Sequence, residues 1–141
     1  MLDFGCGTGE TTIAMAQGIL GDLGTPGEVV GVDISTDMIS HCNTRLETSL
    51  VPNISFLQLD VKDPDSFLAS NMNSFSCITS FSCLHWVPDM PAAITLFNKA
   101  LKVGGKILFV IPTSTGVRRF KFVYEEMKKE ERWCQLLNET R

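Results

Sequence analysis

The sequence predicts an α/β fold, a mostly parallel sheet with helices on both faces. Three observations lead there. Short apolar or β-branched runs alternate five times with helix-length segments, the order that βα units joined by crossovers produce. The first run, Met1-Leu2-Asp3-Phe4, opens directly into Gly5-Cys6-Gly7-Thr8-Gly9, three glycines at alternate positions ahead of a helical pattern. Acids recur at or beside the strands, at Asp3, Asp33 and Asp60. Ligands of such sheets bind in the crevice at the carboxyl ends of the strands, where the strand order reverses. These acids and the segment from Ser80 to Trp86 therefore converge on one crevice.

Taken in order, residues 1–4 form a strand and Thr11 to Leu20 a helix, after which Gly18, Gly21, Gly24, Pro26 and Gly27 mark a loop. Val29 to Asp33 is a buried-type strand ending in an acid. Ser35 is a natural N-cap for a helix from Thr36 to Thr48. Ile54 to Leu59 is a third strand, followed by Asp60, and a short helix runs from Pro64 to Leu68. Phe75 to Phe81 is the fourth strand. Met90 to Leu101 is a helix closed by Lys102-Val103-Gly104-Gly105, and Lys106 to Ile111 is the fifth strand, stopped by Pro112. A long amphipathic helix follows from 117 to 137. The organisation is one domain, with a core at 1–112 and that helix behind it.

Composition excludes several classes. At 141 residues the chain holds one domain with a core and is too short for two. No apolar run reaches the ~18 residues of a membrane span, and Met1-Leu2-Asp3 lacks the features of a secretory signal. Five cysteines, an odd number with no zinc spacing, point to reduced thiols in the cytoplasm and to no metal. Residues 1–116 hold 5 Lys and Arg against 11 Asp and Glu, while 117–141 hold 7 against 5. An acidic body argues against nucleic acid, whose nonspecific binding depends on neutralising phosphates.

The glycine loop narrows the ligand. Glycine is needed where a chain turns sharply or lets a ligand approach its backbone, and the helix behind the loop offers unpaired N–H groups. The position at which a dinucleotide fingerprint needs its third glycine is occupied by Glu10, whose charge would repel a diphosphate at the helix entrance. Asp33, 24 residues beyond Gly9, stands close to where an acid takes two ribose hydroxyls, and Asp60 adds an acceptor for an adenine amino group. Either acid alone would read as a surface loop residue. Together with the loop they outline an adenosine-shaped slot without phosphates.

These residues resemble class I S-adenosylmethionine-dependent methyltransferases, which have a Rossmann-like fold. The matching pieces are Leu-Asp-Phe-Gly-Cys-Gly-Thr-Gly at 2–9, Val-Gly-Val-Asp-Ile-Ser at 30–35, Leu-Gln-Leu-Asp-Val at 57–61 and Leu-Lys-Val-Gly-Gly-Lys-Ile-Leu at 101–108. The resemblance implies S-adenosyl-L-methionine as cofactor. Gly5 and Gly7 would carry its methionine part beside Cys6, and Asp3 would help to hold its ammonium. Asp33 would take the ribose, Asp60 and Val61 would frame the adenine, and Ile34 and Met38 would pack on the adenosine. Ser80, at the end of the fourth strand, would join the cofactor-binding residues and opens the segment that faces the substrate.

That segment, Ser80-Phe81-Ser82-Cys83-Leu84-His85-Trp86-Val87-Pro88, resembles the branch of juvenile hormone acid methyltransferases of arthropods. The branch methylates a carboxylate oxygen, so a small lipophilic carboxylic acid is the implied substrate. A carboxylate with a solution pKa of ~4–5 is already ionised at neutral pH and needs no general base. Trp86 and His85 are the catalytic candidates. The Trp86 indole N–H can donate to the carboxylate while its ring lines an apolar pocket; packing is its plainer role. His85 is a second donor or a brace for the loop. Cys6 and Cys83 lack a partner base nearby in sequence, so neither reads as a nucleophile.

Proteins of this class usually open with helices before the first strand and finish with two further strands, making seven. Here five strands are present and the last two are missing, which makes the chain read as truncated at both ends. Within the methyltransferase reading another small-molecule substrate is the alternative, and two rivals stand beside it. One is a non-catalytic remnant that binds cofactor or a partner. The other is a nicotinamide-dependent oxidoreductase, which Glu10 and Asp60 disfavour.

Overall fold

The computed structural model describes residues 1–22, 27–47, 51–112, 125–126 and 129, with the side chains of 19–22 and 47 excepted. The chain divides into two units, Met1–Ile111 and Pro112–Arg141. The helix expected over 117–137 falls almost wholly outside the described residues; within it, Lys129 pairs with Glu126.

The first unit carries β1 (Leu2–Phe4), α1 (Glu10–Asp22), β2 (Val29–Asp33), α2 (Thr36–Glu47), β3 (Ile54–Gln58), α3 (Asp65–Asn71), β4 (Phe75–Phe81), a 3-10 turn (Leu84–Trp86), α4 (Met90–Ala100) and β5 (Leu101–Val110). The strands form one sheet in the order β3-β2-β1-β4-β5, and every pair is parallel. β1 lies between β2 and β4, so the strand order reverses at its carboxyl end. That is where a crevice opens in a doubly wound sheet.

Side chains alternate across a strand, and here the alternation builds two cores. Leu2, Phe4, Val30, Val32 and Ile78 point to one face, where Phe67 and Leu68 of α3 and Leu96 and Phe97 of α4 cover them. Phe4 meets Phe97 edge-on, ring centres 5.0 Å apart. The opposite face packs against α2 through Cys6, Ile39, Cys42 and Phe56, with Ile13 of α1 beside them. Ser35 caps α2 as expected, its Oγ accepting from Met38 N at 3.3 Å. Asp89 caps α4 by accepting from Ala92 N at 2.9 Å.

Four elements differ from expectation by more than a residue or through a changed neighbour. α1 begins at Glu10 and runs on through Gly18 to Asp22, and α3 extends to Asn71. α4 stops at Ala100, and the stretch expected as a turn is the start of β5. Leu101 sits opposite Phe75 and Lys106 opposite Cys77, so two steps on β4 face five on β5. Gly104, at φ 79°, absorbs the extra residues as a bulge that a sequence reading takes for a turn.

Candidate functional site

The glycine loop is tied down by backbone bonds. Gly5 N and Cys6 N both donate to Val32 O, at 2.8 and 2.9 Å, and Gly9 N donates to Cys6 O at 3.0 Å. Asp33, at the end of β2, receives Gly7 N on Oδ2 at 2.9 Å and Ser35 N on Oδ1 at 3.0 Å. Each oxygen keeps acceptor capacity, since a carboxylate has about four lone-pair sites. Arg45 reaches over from α2, donating to Thr8 O at 3.3 Å and lying 3.5 Å from Glu10.

Gly7 and Gly9 are glycines for different reasons. A Cβ on Gly9 (φ 78°) would lie 2.7 Å from Phe56 Cζ and 2.9 Å from Cys42 Sγ. The helix and strand beneath it leave no room. A Cβ on Gly7 would meet nothing within 4 Å, and its φ of 52° is shared by Asn73 and Ser82, at 49° and 53°. No packing therefore forbids a side chain at position 7; only the left-handed backbone would be strained by one. What a side chain would take up there is open space over the loop.

That space is a cleft with two lobes. One, of about 450 Å³, lies over the loop and is lined by Asp3, Gly5, Cys6, Gly7, Thr11 and Ser82 among others. The other, of about 170 Å³, reaches past β3 to Leu59, Asp60, Val61 and Lys62, with Val87 and Pro88 on its far side. Gly5, Asp33, Ile34, Cys83 and Trp86 line both lobes and form the neck between them.

The far wall comes from the end of β4. Ser82 takes its left-handed backbone there while its N–H donates to Val110 O at 2.8 Å. The chain then turns through Leu84–Trp86, with Trp86 N donating to Cys83 O at 2.8 Å. Trp86 is 78% exposed although it lines both lobes. At that exposure the ring does not pack in the core. His85 is exposed and outside the lining of either lobe. Its ring lies 5.0 Å from that of Trp86, a bracing contact. Met38, in the first turn of α2, is likewise outside the lining.

Two buried groups sit under the cleft. Asp3 is 2% exposed, accepting from Thr12 Oγ1 at 2.6 Å and from Thr79 Oγ1 at 3.2 Å. Burial raises its pKa, and the two hydroxyl bonds only partly oppose this. Ser80 is buried with no hydrogen bond of ordinary geometry from Oγ; its neighbour is the Cys83 thiol. Burial, then the charge of Asp33, pushes the Cys83 pKa up, while the Ser80 hydroxyl acts in the opposite direction. Cys83 is therefore a protonated thiol at the neck. Sequence reasoning placed Cys83 near the cofactor and missed Lys62, Thr12, Thr79, Arg45 and Cys42. The apolar spacing of Ile39, Cys42 and Leu46 on α2 was the available signal for Cys42.

The cleft thus presents Asp3, Asp33 and Asp60 against one described cation, Lys62, with an open loop backbone between. The arrangement suits a ligand bearing hydroxyls and a positive charge and disfavours a diphosphate. A family model described as a methyltransferase domain matches residues 1–140, and the chain belongs to that family. The oxidoreductase reading gives way to it.

Among curated relatives, a demethylmenaquinone methyltransferase of Staphylococcus aureus (strain MRSA252) is 31% identical over 123 residues, covering 87% of this chain and 47% of the relative. The chain spans about half the length of the curated relatives it matches. Two solved structures show the same fold. The YcgJ protein of Bacillus has a TM-score of 0.67 at 24% identity, covering 90% of this chain and 51% of that one. Phosphoethanolamine N-methyltransferase 2 of Haemonchus contortus has a TM-score of 0.65 at 22% identity, covering 86% and 27%. The five-stranded sheet is the class I methyltransferase fold, as the sequence predicts.

Proposed function

We propose that the chain is the S-adenosylmethionine-binding part of a methyltransferase that esterifies the carboxylate of a small lipophilic acid, of the farnesoic or juvenile hormone acid type. The observation that carries the cofactor reading is the pairing of an open Gly7 with Asp33 beside a cleft lined by acids. Asp3, Gly5, Cys6 and Gly7 would hold the amino-acid end, Asp33 the ribose, and Asp60, Val61 and Ile34 the adenine. When bound, the cofactor supplies an electrophilic methyl group on a sulfonium.

The chain's own residues then desolvate and orient the acceptor. Trp86, exposed at the neck, supplies an indole N–H to a carboxylate and an apolar ring to its chain, with Val87 and Pro88 beside it. His85 braces that ring. An ionised carboxylate is already a nucleophile, so the protonated Cys83 need not act as a base. The four described cysteines are free thiols, in keeping with a protein of the cytoplasm.

The name of the Staphylococcus relatives supports a second reading, methyl transfer to a lipophilic quinol-type ring. One experiment separates the readings. The purified protein is titrated with S-adenosylhomocysteine by calorimetry, then given labelled cofactor with farnesoic acid, juvenile hormone acid and a demethylmenaquinone. Methyl ester from an acid supports the carboxylate reading, and product only from the quinone replaces it. A folded protein that binds no S-adenosylhomocysteine is a remnant, and the cofactor assignment falls.

A further inference from the structure

Under the glycine loop lies the small cluster of Cys6, Ile39, Cys42 and Phe56, with Cys42 fully buried. Cys42 is the member whose side chain bonds the loop at good distance, Sγ donating to Gly7 O at 3.2 Å. Cys6 Sγ approaches the same oxygen only to 3.9 Å. Gly7 N donates in turn to Asp33 Oδ2 at 2.9 Å. Gly7 is thus held at both ends, its carbonyl by α2 and its N–H by the end of β2. No side chain packs where its Cβ would be, so these bonds are what fixes its orientation.

We propose that Cys42 is a positioning residue for the cofactor loop: its thiol fixes the Gly7 carbonyl and, through Gly7, the Asp33 carboxylate. This rests on the cofactor reading above. Burial raises the pKa of Cys42 and of Cys6, so both stay protonated at neutral pH; Cys42 is a donor and not a nucleophile. Gly9 supports the same geometry from the other side, since its missing Cβ is what lets Cys42 Sγ come so close to the loop.

The test is the affinity for S-adenosylhomocysteine, with amide exchange at Gly7 and Gly9 followed by NMR, in wild type, Cys42→Ala, Cys42→Ser and Ile39→Val. A thiol is a weak donor, so losing it should weaken binding about three- to fivefold. In Cys42→Ala, exchange at Gly7 should quicken relative to Gly9. Cys42→Ser keeps a donor and should return affinity to within about twofold of wild type. Ile39→Val thins the same cluster without touching the bond, so it should lower the melting temperature and leave affinity unchanged. If Cys42→Ala does not fold, Cys42→Val, of similar volume and without a donor, takes its place. Equal affinity in wild type and the donor-free variant overturns the proposal alone. Equal weakening by the donor-free variant and Cys42→Ser overturns it too, because packing would then be the cause. A folded wild type that fails to bind brings down both this proposal and the cofactor reading.

Discussion

Gly9 and Gly7 stand two residues apart and should respond oppositely to the same methyl group. Gly9→Ala combines a left-handed backbone for an L-residue, about 1–2 kcal/mol, with overpacking against Phe56 and Cys42, about 1–3 kcal/mol. Gly7→Ala carries only that same backbone cost, about 1–2 kcal/mol, but sets its methyl in the open cleft. We expect Gly9→Ala to shift the urea midpoint strongly and Gly7→Ala to shift it less while weakening S-adenosylhomocysteine at least about tenfold. Comparable midpoint shifts would show that the two glycines share one role. Asp3 provides a pH test. Its folded pKa is raised above the unfolded value, so the unfolded state releases the proton first as pH rises. Stability linked to Asp3 is full below ~4 and is lost as pH climbs through the raised folded pKa. Asp3→Asn removes this loss, so its unfolding free energy relative to wild type should rise between pH 4 and 8 in urea titrations without ligand. A pH-independent difference would mean that Asp3 titrates normally.

At the scale of elements, α4 is held at its start by Asp89, whose carboxylate accepts from Ala92 N beside Pro91. Asp89→Ala should cost about 1 kcal/mol in urea unfolding and leave S-adenosylhomocysteine binding unchanged, since Asp89 lines neither lobe. A loss of binding would mean that the 3-10 turn and Trp86 depend on this cap. Local chemistry explains which elements a reader of the sequence can place. β1, β2 and β4 are apolar runs broken by glycine or polar residues, and their bounds follow from that contrast alone. Ser35 stands ahead of a helical pattern and reads as the cap it is. β5 starts early because pairing with β4 carries the strand through Gly104, and nothing local to Lys102–Gly105 reveals that. The site divides along the same line. Asp33, Asp60 and Trp86 are legible because βα order brings strand ends to one crevice. The bonds from Thr79 to Asp3 and from Cys42 to Gly7 span 76 and 35 residues and depend on register and helix docking. Those are tertiary facts.

Across the unit Met1–Ile111, burial is uneven from one side of the sheet to the other. β1 is fully buried and β2 nearly so, whereas residues 106–110 of β5 are exposed on both faces. Leu108, Phe109 and Val110 are among the exposed apolar side chains, and β5 is an edge of the sheet among the described residues. An apolar edge strand offers a row of unpaired backbone groups to another chain, and proteins usually blunt such edges with charge. The protein should therefore associate as its concentration rises. Leu108→Lys with Val110→Lys places two charges on one side of this strand. Exposed positions tolerate such changes within about 0.5 kcal/mol each, so the fold should survive. Sedimentation velocity over a concentration series should show the wild type moving to larger species and the double variant staying monomeric. Both should bind S-adenosylhomocysteine alike, because neither position lines the cleft. A wild type that stays monomeric throughout, or a double variant that associates equally, would show that β5 is not the adhesive edge.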